Sequence, residues 1–203
     1  MSRARLVAMG DSFVEGHGAG PAGGWPDQLG SLLGMPAGGV VNLGGYGATT
    51  QDVVDRQLAP ALANKAPLIG LAVGVNDLLG GYDPETFGGN LDRLYSALTG
   101  PDTVVFTATY PVVPRVRAFP TAFGDLVRGR FVEANGLVRE LSRRHGVLCV
   151  DMAGDGDWAD SALWSDDGLH PSAEGHRRFA EQAGDLVSAA TGTPVGILSG
   201  GRL

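Results

Sequence analysis

Five short apolar runs, each followed by a stretch of different period, restrict this chain more than any other feature. The runs are Leu6–Met9, Val40–Leu43, Leu68–Val73, Val104–Ala108 and Val147–Val150. They are almost continuously apolar and include many β-branched residues, a pattern of strands covered on both faces. Helical patterns lie between them. One covers 51–63, opened by Thr49 and Thr50 with Asp52 in its first turn. Another starts near Pro84 and runs toward Leu98. Across 121–145, Val127, Phe131, Ala134, Val138 and Leu141 recur at helical spacing, which makes one apolar face. From about Ser172 the pattern returns with His176, Phe179, Ala183, Val187 and Ala190. Parallel strands require a crossover, usually helical, so the alternation predicts an α/β fold with a doubly wound, five-stranded parallel sheet.

At 203 residues the chain has room for one domain with a substantial core. We expect a single domain over 1–190 and a glycine-rich tail over 191–203. The net charge of −7 argues against a nucleic-acid partner, which needs a cationic surface, and does not favour adhesion to an anionic membrane. The lone cysteine, Cys149, has no intrachain partner and falls in an expected buried strand, so packing is its expected role. The apolar start, Leu6–Met9, is too short for a secretory leader, and no run approaches the ~20 residues of a membrane span. A cytoplasmic protein without stable membrane insertion is the expectation; a secreted one with its leader removed would read the same.

In an open α/β sheet, ligands bind beyond the carboxyl ends of the strands. After the first run comes Gly10-Asp11-Ser12, after the second Asn42-Leu43-Gly44-Gly45-Tyr46-Gly47, and after the third Gly74-Val75-Asn76-Asp77. The segment before the last helix holds Asp166-Asp167-Gly168-Leu169-His170-Pro171. A hydroxyl, a glycine turn, a carboxamide and a carboxylate–imidazole pair would then converge on one rim, the parts of an acyl-transfer site. Taken singly, each string has an ordinary reading. Gly10-Asp11-Ser12 suits a strand-to-helix turn, Gly47 any turn, Asn76-Asp77 a cap or loop anchor, and Asp167 with His170 a loop-pinning bond.

Together and in this order, the strings resemble the GDSL/SGNH hydrolase family over residues 5 to about 190. Gly10–Ser12 with Gly16 matches its first block, Asn42 to Gly47 its second, 74–77 its third and 167–171 its last; Phe13 replaces the leucine of the family's name. The resemblance implies a three-layer α/β/α, flavodoxin-like fold. It also implies Ser12 as nucleophile, His170 as base and then acid, and Asp167 as the group orienting the imidazole. The N–H groups of Ser12 and Gly47 and the Asn76 side chain would form the oxyanion hole, with no room for a Cβ at Gly47. The implied partner is a small acyl ester: a short-chain ester, an O-acetyl group or a thioester. The implied cofactor is none. An acyltransferase using the same serine, a non-catalytic ligand-binding module, and a flavin or phosphate binder on the same sheet are the rivals.

Competing motifs fail. There is no Gly-x-Ser-x-Gly elbow and no Walker string. Gly18-x-Gly20-x-x-Gly23 starts too far past the first strand and contains Pro21. His17, His145 and His176 are scattered, so structural or surface roles and no metal are expected. The segment 110–124 lies on the active rim and is a candidate lid or selectivity surface. Arg115 and Arg117 in it are read as solvated rather than anion-binding, and Trp25 and Trp164 as packing rather than pocket residues.

Overall fold

A computed structural model describes residues 5–192. Strands β1 (Leu6–Gly10), β2 (Val40–Asn42), β3 (Leu68–Ala72), β4 (Val104–Ala108) and β5 (Leu148–Val150) form one sheet in the order β2-β1-β3-β4-β5, every pair parallel. This is the flavodoxin-like order, with its switch point between β1 and β3. Helices cover both faces. On one, α2 (Trp25–Leu32) packs against α8 (Ala173–Thr191). On the other, α6 (Pro84–Leu98) packs against α7 (Thr121–His145), beside a composite helix over residues 50–64. The short helices α1 (Ser12–Glu15) and α5 (Val75–Leu79) follow β1 and β3 directly.

The expected helical faces are buried. Val127, Phe131, Ala134, Val138 and Leu141 point inward from α7, and His176, Phe179, Ala183 and Val187 from α8; Ala190, at the end of that stripe, is exposed. Not every strand is covered on both sides, however. Val40 and Val41 in β2 and Leu148 and Cys149 in β5 are only half-buried, because these two strands form the sheet's edges. Thr49 caps the composite helix in a reciprocal box with Asp52. That helix is interrupted: α3 (Thr50–Asp52) passes through a π-helical turn, Val53–Gln57, before α4 (Leu58–Asn64). Helix α8 runs one residue past the expected end of the domain, to Thr191; residues 193–203 of the expected tail lie outside the described residues.

Candidate active site

Gly10 ends β1 with φ +146°, and a Cβ there would stand 1.9 Å from the Ala72 carbonyl oxygen of the neighbouring strand. Only glycine lets the chain turn so tightly against β3. Where β2 has already ended, a side chain takes over the pairing. The Gln57 Oε1 accepts from Gly10 N–H at 2.8 Å, and its Nε2 donates to Gly10 C=O at 2.8 Å. The π-helical turn places Gln57 here; sequence periodicity gives no sign of it. Next, Asp11 caps α1 by accepting from Phe13 N–H at 2.9 Å. Burial pushes its carboxyl up to about 7; the Phe13 and Gly74 N–H groups oppose the rise and the Asp77 charge adds to it. Ser12 opens α1 and is 6% exposed.

From the other end of the chain, His170 meets this serine. Its Nε2 lies 2.9 Å from Ser12 Oγ, and its Nδ1 lies 2.6 Å from Asp167 Oδ2. A carboxylate only accepts, so Nδ1 carries the proton and Nε2 is left to accept from the hydroxyl. The second Asp167 oxygen accepts from Leu169 N–H at 2.8 Å and His170 N–H at 3.0 Å. Burial works to raise this carboxyl, but the bonds from the His170 ring and these two N–H groups outweigh it and hold it down at about 2. A hydroxyl facing the unprotonated nitrogen of an imidazole backed by a carboxylate is an arrangement that can pass its proton to the ring.

The second block folds over the end of β1. Asn42 Nδ2 donates to Val14 C=O at 2.7 Å, and its Oδ1 accepts from Gly44 N–H at 2.9 Å. Gly47 sits between Tyr46, whose ring is 6.0 Å from the His170 ring, and Ala48, whose C=O accepts from Asn76 Nδ2 at 2.9 Å. No protein atom lies within 4 Å of where a Cβ at Gly47 would stand; its φ of +73° calls for glycine on its own account. Asn76 lies near the start of α5, on the cleft wall. Asp77 does anchor a loop, accepting from Thr50 N–H and Oγ1–H.

A cleft of about 630 Å³, counted to its open mouth, lies against Ser12 and His170. Its walls are mostly apolar, including Val73, Val75, Tyr110, Val113, Met152 and Trp164. Trp164 therefore lines the cleft, whereas Trp25 is packed in the core away from it. The segment 110–124 contributes Tyr110, Pro111 and Val113 and is tied to the histidine loop by Arg115 N–H donating to Gly168 C=O at 2.7 Å. The side chains of Arg115 and Arg117 are exposed. Cys149 is half-buried on the edge strand β5, its thiol pushed up to about 11 by burial.

Two histidines are less scattered than their positions suggest. The His17 ring centroid lies 4.1 Å from that of His170. Imidazole and carboxylate atoms of His17, His170 and Asp167 fall within 4.8 Å of one another, a grouping that contradicts the reading of His17 as isolated. His176 is fully buried: its Nδ1 accepts from Trp25 N–H at 3.2 Å and its Nε2–H donates to His17 C=O at 2.9 Å. Burial lowers its pKa, so it bridges α2 and the His17 loop as a neutral ring.

A flavodoxin-like sheet with a Ser–His–Asp line beyond its carboxyl edge defines a class of α/β hydrolytic proteins that lack the nucleophile elbow. Within it, this chain belongs to the GDSL-like lipase/acylhydrolase family, whose model matches residues 8–178. It is accordingly a hydrolase of the GDSL type. No curated protein matches it. Among solved structures it is similar to a protein placed in the G-D-S-L lipolytic family from Desulfitobacterium hafniense DCB-2, at 24% identity and TM-score 0.74, covering 89% of this chain and 98% of that one. It is also similar to phospholipase A1 from Streptomyces albidoflavus NA297, at 21% identity and TM-score 0.69, covering 91% and 100%. A third is an acetylxylan esterase from Geobacillus stearothermophilus, at 21% identity and TM-score 0.71, covering 92% and 94%. Among the described residues no helix is long and apolar enough to cross a membrane.

Proposed function

We propose that the protein hydrolyses small acyl esters through an acyl-enzyme on Ser12. The observation that carries this reading is the continuous path from Ser12 Oγ through His170 to Asp167, at 2.9 and 2.6 Å. As Ser12 Oγ bonds to the ester carbonyl carbon, its proton passes to His170 Nε2, and the imidazolium is stabilised by Asp167. Collapse of the tetrahedral intermediate breaks the bond to the alcohol oxygen, which takes that proton. Water then repeats the sequence, with His170 as base, and frees the acid. The carbonyl oxygen's developing charge meets the N–H groups of Ser12 and Gly47 and the Asn76 amide. A carboxamide has two N–H donors, and Ala48 takes one, leaving the other for the substrate.

The apolar cleft wall suits an acyl chain, and Tyr110, Pro111 and Val113 make the 110–124 segment one of the loops that shape it. One similar structure is a phospholipase A1 and another an acetylxylan esterase, so the family alone does not choose the acyl group.

The decisive experiment treats the protein with a fluorophosphonate and maps the modified residue by mass spectrometry. The label is expected on Ser12, and Ser12→Ala and His170→Ala are each expected to lose hydrolysis of p-nitrophenyl acetate by about 10⁴-fold or more. Full activity in Ser12→Ala would overturn the reading. Transfer of the acyl group to added alcohols in preference to water would make the protein an acyltransferase instead.

A further inference from the structure

The cleft stops at Ser12 and His170 and includes neither Tyr46 nor His17. These two lie against the His170 ring outside that cleft. The Tyr46 ring is inclined 30° to His170 at 6.0 Å and lies 5.4 Å from His17, which is itself 4.1 Å from His170. Tyr46 is also 69% exposed, among the described residues the second most exposed large hydrophobic side chain after Val132. An aromatic ring this open, beside a reactive centre, presents a flat apolar area edged by a phenol and an imidazole that can hydrogen-bond.

We infer that Tyr46 and His17 form a subsite for the alcohol half of the ester and that it takes a pyranose ring. This rests on the roles given above to Ser12 and His170. His170 must hand its proton to the departing oxygen, so the group attached to that oxygen lies beside the imidazole. The enclosed, apolar side of the site is the cleft, which matches an acyl chain. The open side matches a ring with one C–H face to lay on Tyr46 and a rim of hydroxyls to meet His17, the Tyr46 hydroxyl and water. A plain alkyl alcohol gains little from such a ledge, so selectivity is read as a difference between leaving groups rather than as overall rate.

The test compares two acetyl esters, an acetylated methyl pyranoside and ethyl acetate, in the wild type, Tyr46→Ala and Tyr46→Phe. The ratio of kcat/KM on the pyranoside to that on ethyl acetate is expected to fall about tenfold in Tyr46→Ala, chiefly through KM, and to be mostly kept in Tyr46→Phe. His17→Ala is expected to lower the same ratio by a smaller factor. An unchanged ratio in Tyr46→Ala overturns the inference, whether both rates fall together or neither does. So does a changed preference between acetyl and octanoyl esters of one alcohol, which would put the acyl chain on the ledge. Ser12→Ala separates the two levels: activity surviving there removes the underlying mechanism, whereas loss there with an unchanged Tyr46→Ala ratio removes only the ledge.

Discussion

The two loops that meet at the site are held in opposite ways. The histidine loop is held mainly by bonds within itself, with one from Arg115 N–H to Gly168 C=O reaching in from outside. Asp167 accepts from Leu169 and His170, Ser165 N–H donates to His170 C=O at 2.8 Å, and Gly168 N–H donates to Ser165 C=O at 2.9 Å. The Ser12 loop has its own cap at Asp11 but is anchored from outside, by Gln57 lying 47 residues away and by Ala72 on β3. Their carboxylates differ in the same sense. Asp167 is held down at about 2 by bonds from its own loop, and Asp11 is pushed up to about 7 by burial under the rest of the molecule. A self-bonded loop carries its chemistry in a few consecutive residues; a loop held by remote elements transmits the state of the fold to its nucleophile.

The largest effect expected from this contrast is on catalysis. Asp167→Asn keeps an oxygen for the Leu169 and His170 N–H groups but gives up the charge that holds the imidazole's proton on Nδ1. We expect kcat on p-nitrophenyl acetate to fall by ~10³-fold, less than in Ser12→Ala. The urea midpoint near neutral pH should fall as well, because the charge that is held down at about 2 also stabilises the fold above pH 4. That loss should fade as pH falls toward 2; a loss that persists there would show that the histidine loop also depends on the wider fold.

Asp11 gives the next effect, on stability rather than rate. Its folded pKa is raised, so the native state binds the proton more tightly than the unfolded chain does. This contribution is present below pH 4 and is lost as pH rises toward and through about 7. The loss amounts to up to ~4 kcal/mol by pH 8. Asp167 has the reverse sign, its contribution present above pH 4 and lost as pH falls toward about 2. Asp11→Asn, which keeps an oxygen for Phe13 N–H, is expected to flatten the decline between pH 4 and 8 in urea unfolding measured across that range. An unchanged slope would mean that Asp11 is no more buried in effect than Asp167.

The same contrast governs what the sequence makes legible. Asp167 and His170 are three residues apart, and Gly10–Ser12 abuts an apolar run, so local spacing exposes both; α6 and α7 have the expected bounds because long apolar stripes define them. Gln57 is invisible because a π-helical turn breaks the helical period that would predict its direction. His17 and His176 are 159 residues apart and meet only once the sheet has closed. Helix α2 was not expected because it has eight residues, a glycine in its middle and Gly24 as a cap without a side chain. The shape of the site, including the ledge, is likewise a property of contacts between distant segments.

Gln57 gives the smallest effect and the sharpest test of remote support. Gln57→Leu leaves the buried Gly10 N–H without its acceptor, while Gly10 C=O keeps the bond from Gly45 N–H at 3.1 Å. One orphaned donor costs about 2 kcal/mol. If Gly10 is the hinge from which Ser12 is aimed, kcat should fall about tenfold while KM on p-nitrophenyl acetate changes less, because the cleft walls do not involve Gln57. Gln57→Glu distinguishes aiming from mere stability. A protonated glutamic acid can accept from Gly10 N–H and donate to Gly10 C=O as the amide does, whereas a carboxylate can only accept. Its kcat relative to wild type should therefore rise as pH is lowered from 8 to 6. A pH-independent ratio, with stability lowered, would reduce Gln57 to a packing residue and make the two loops alike.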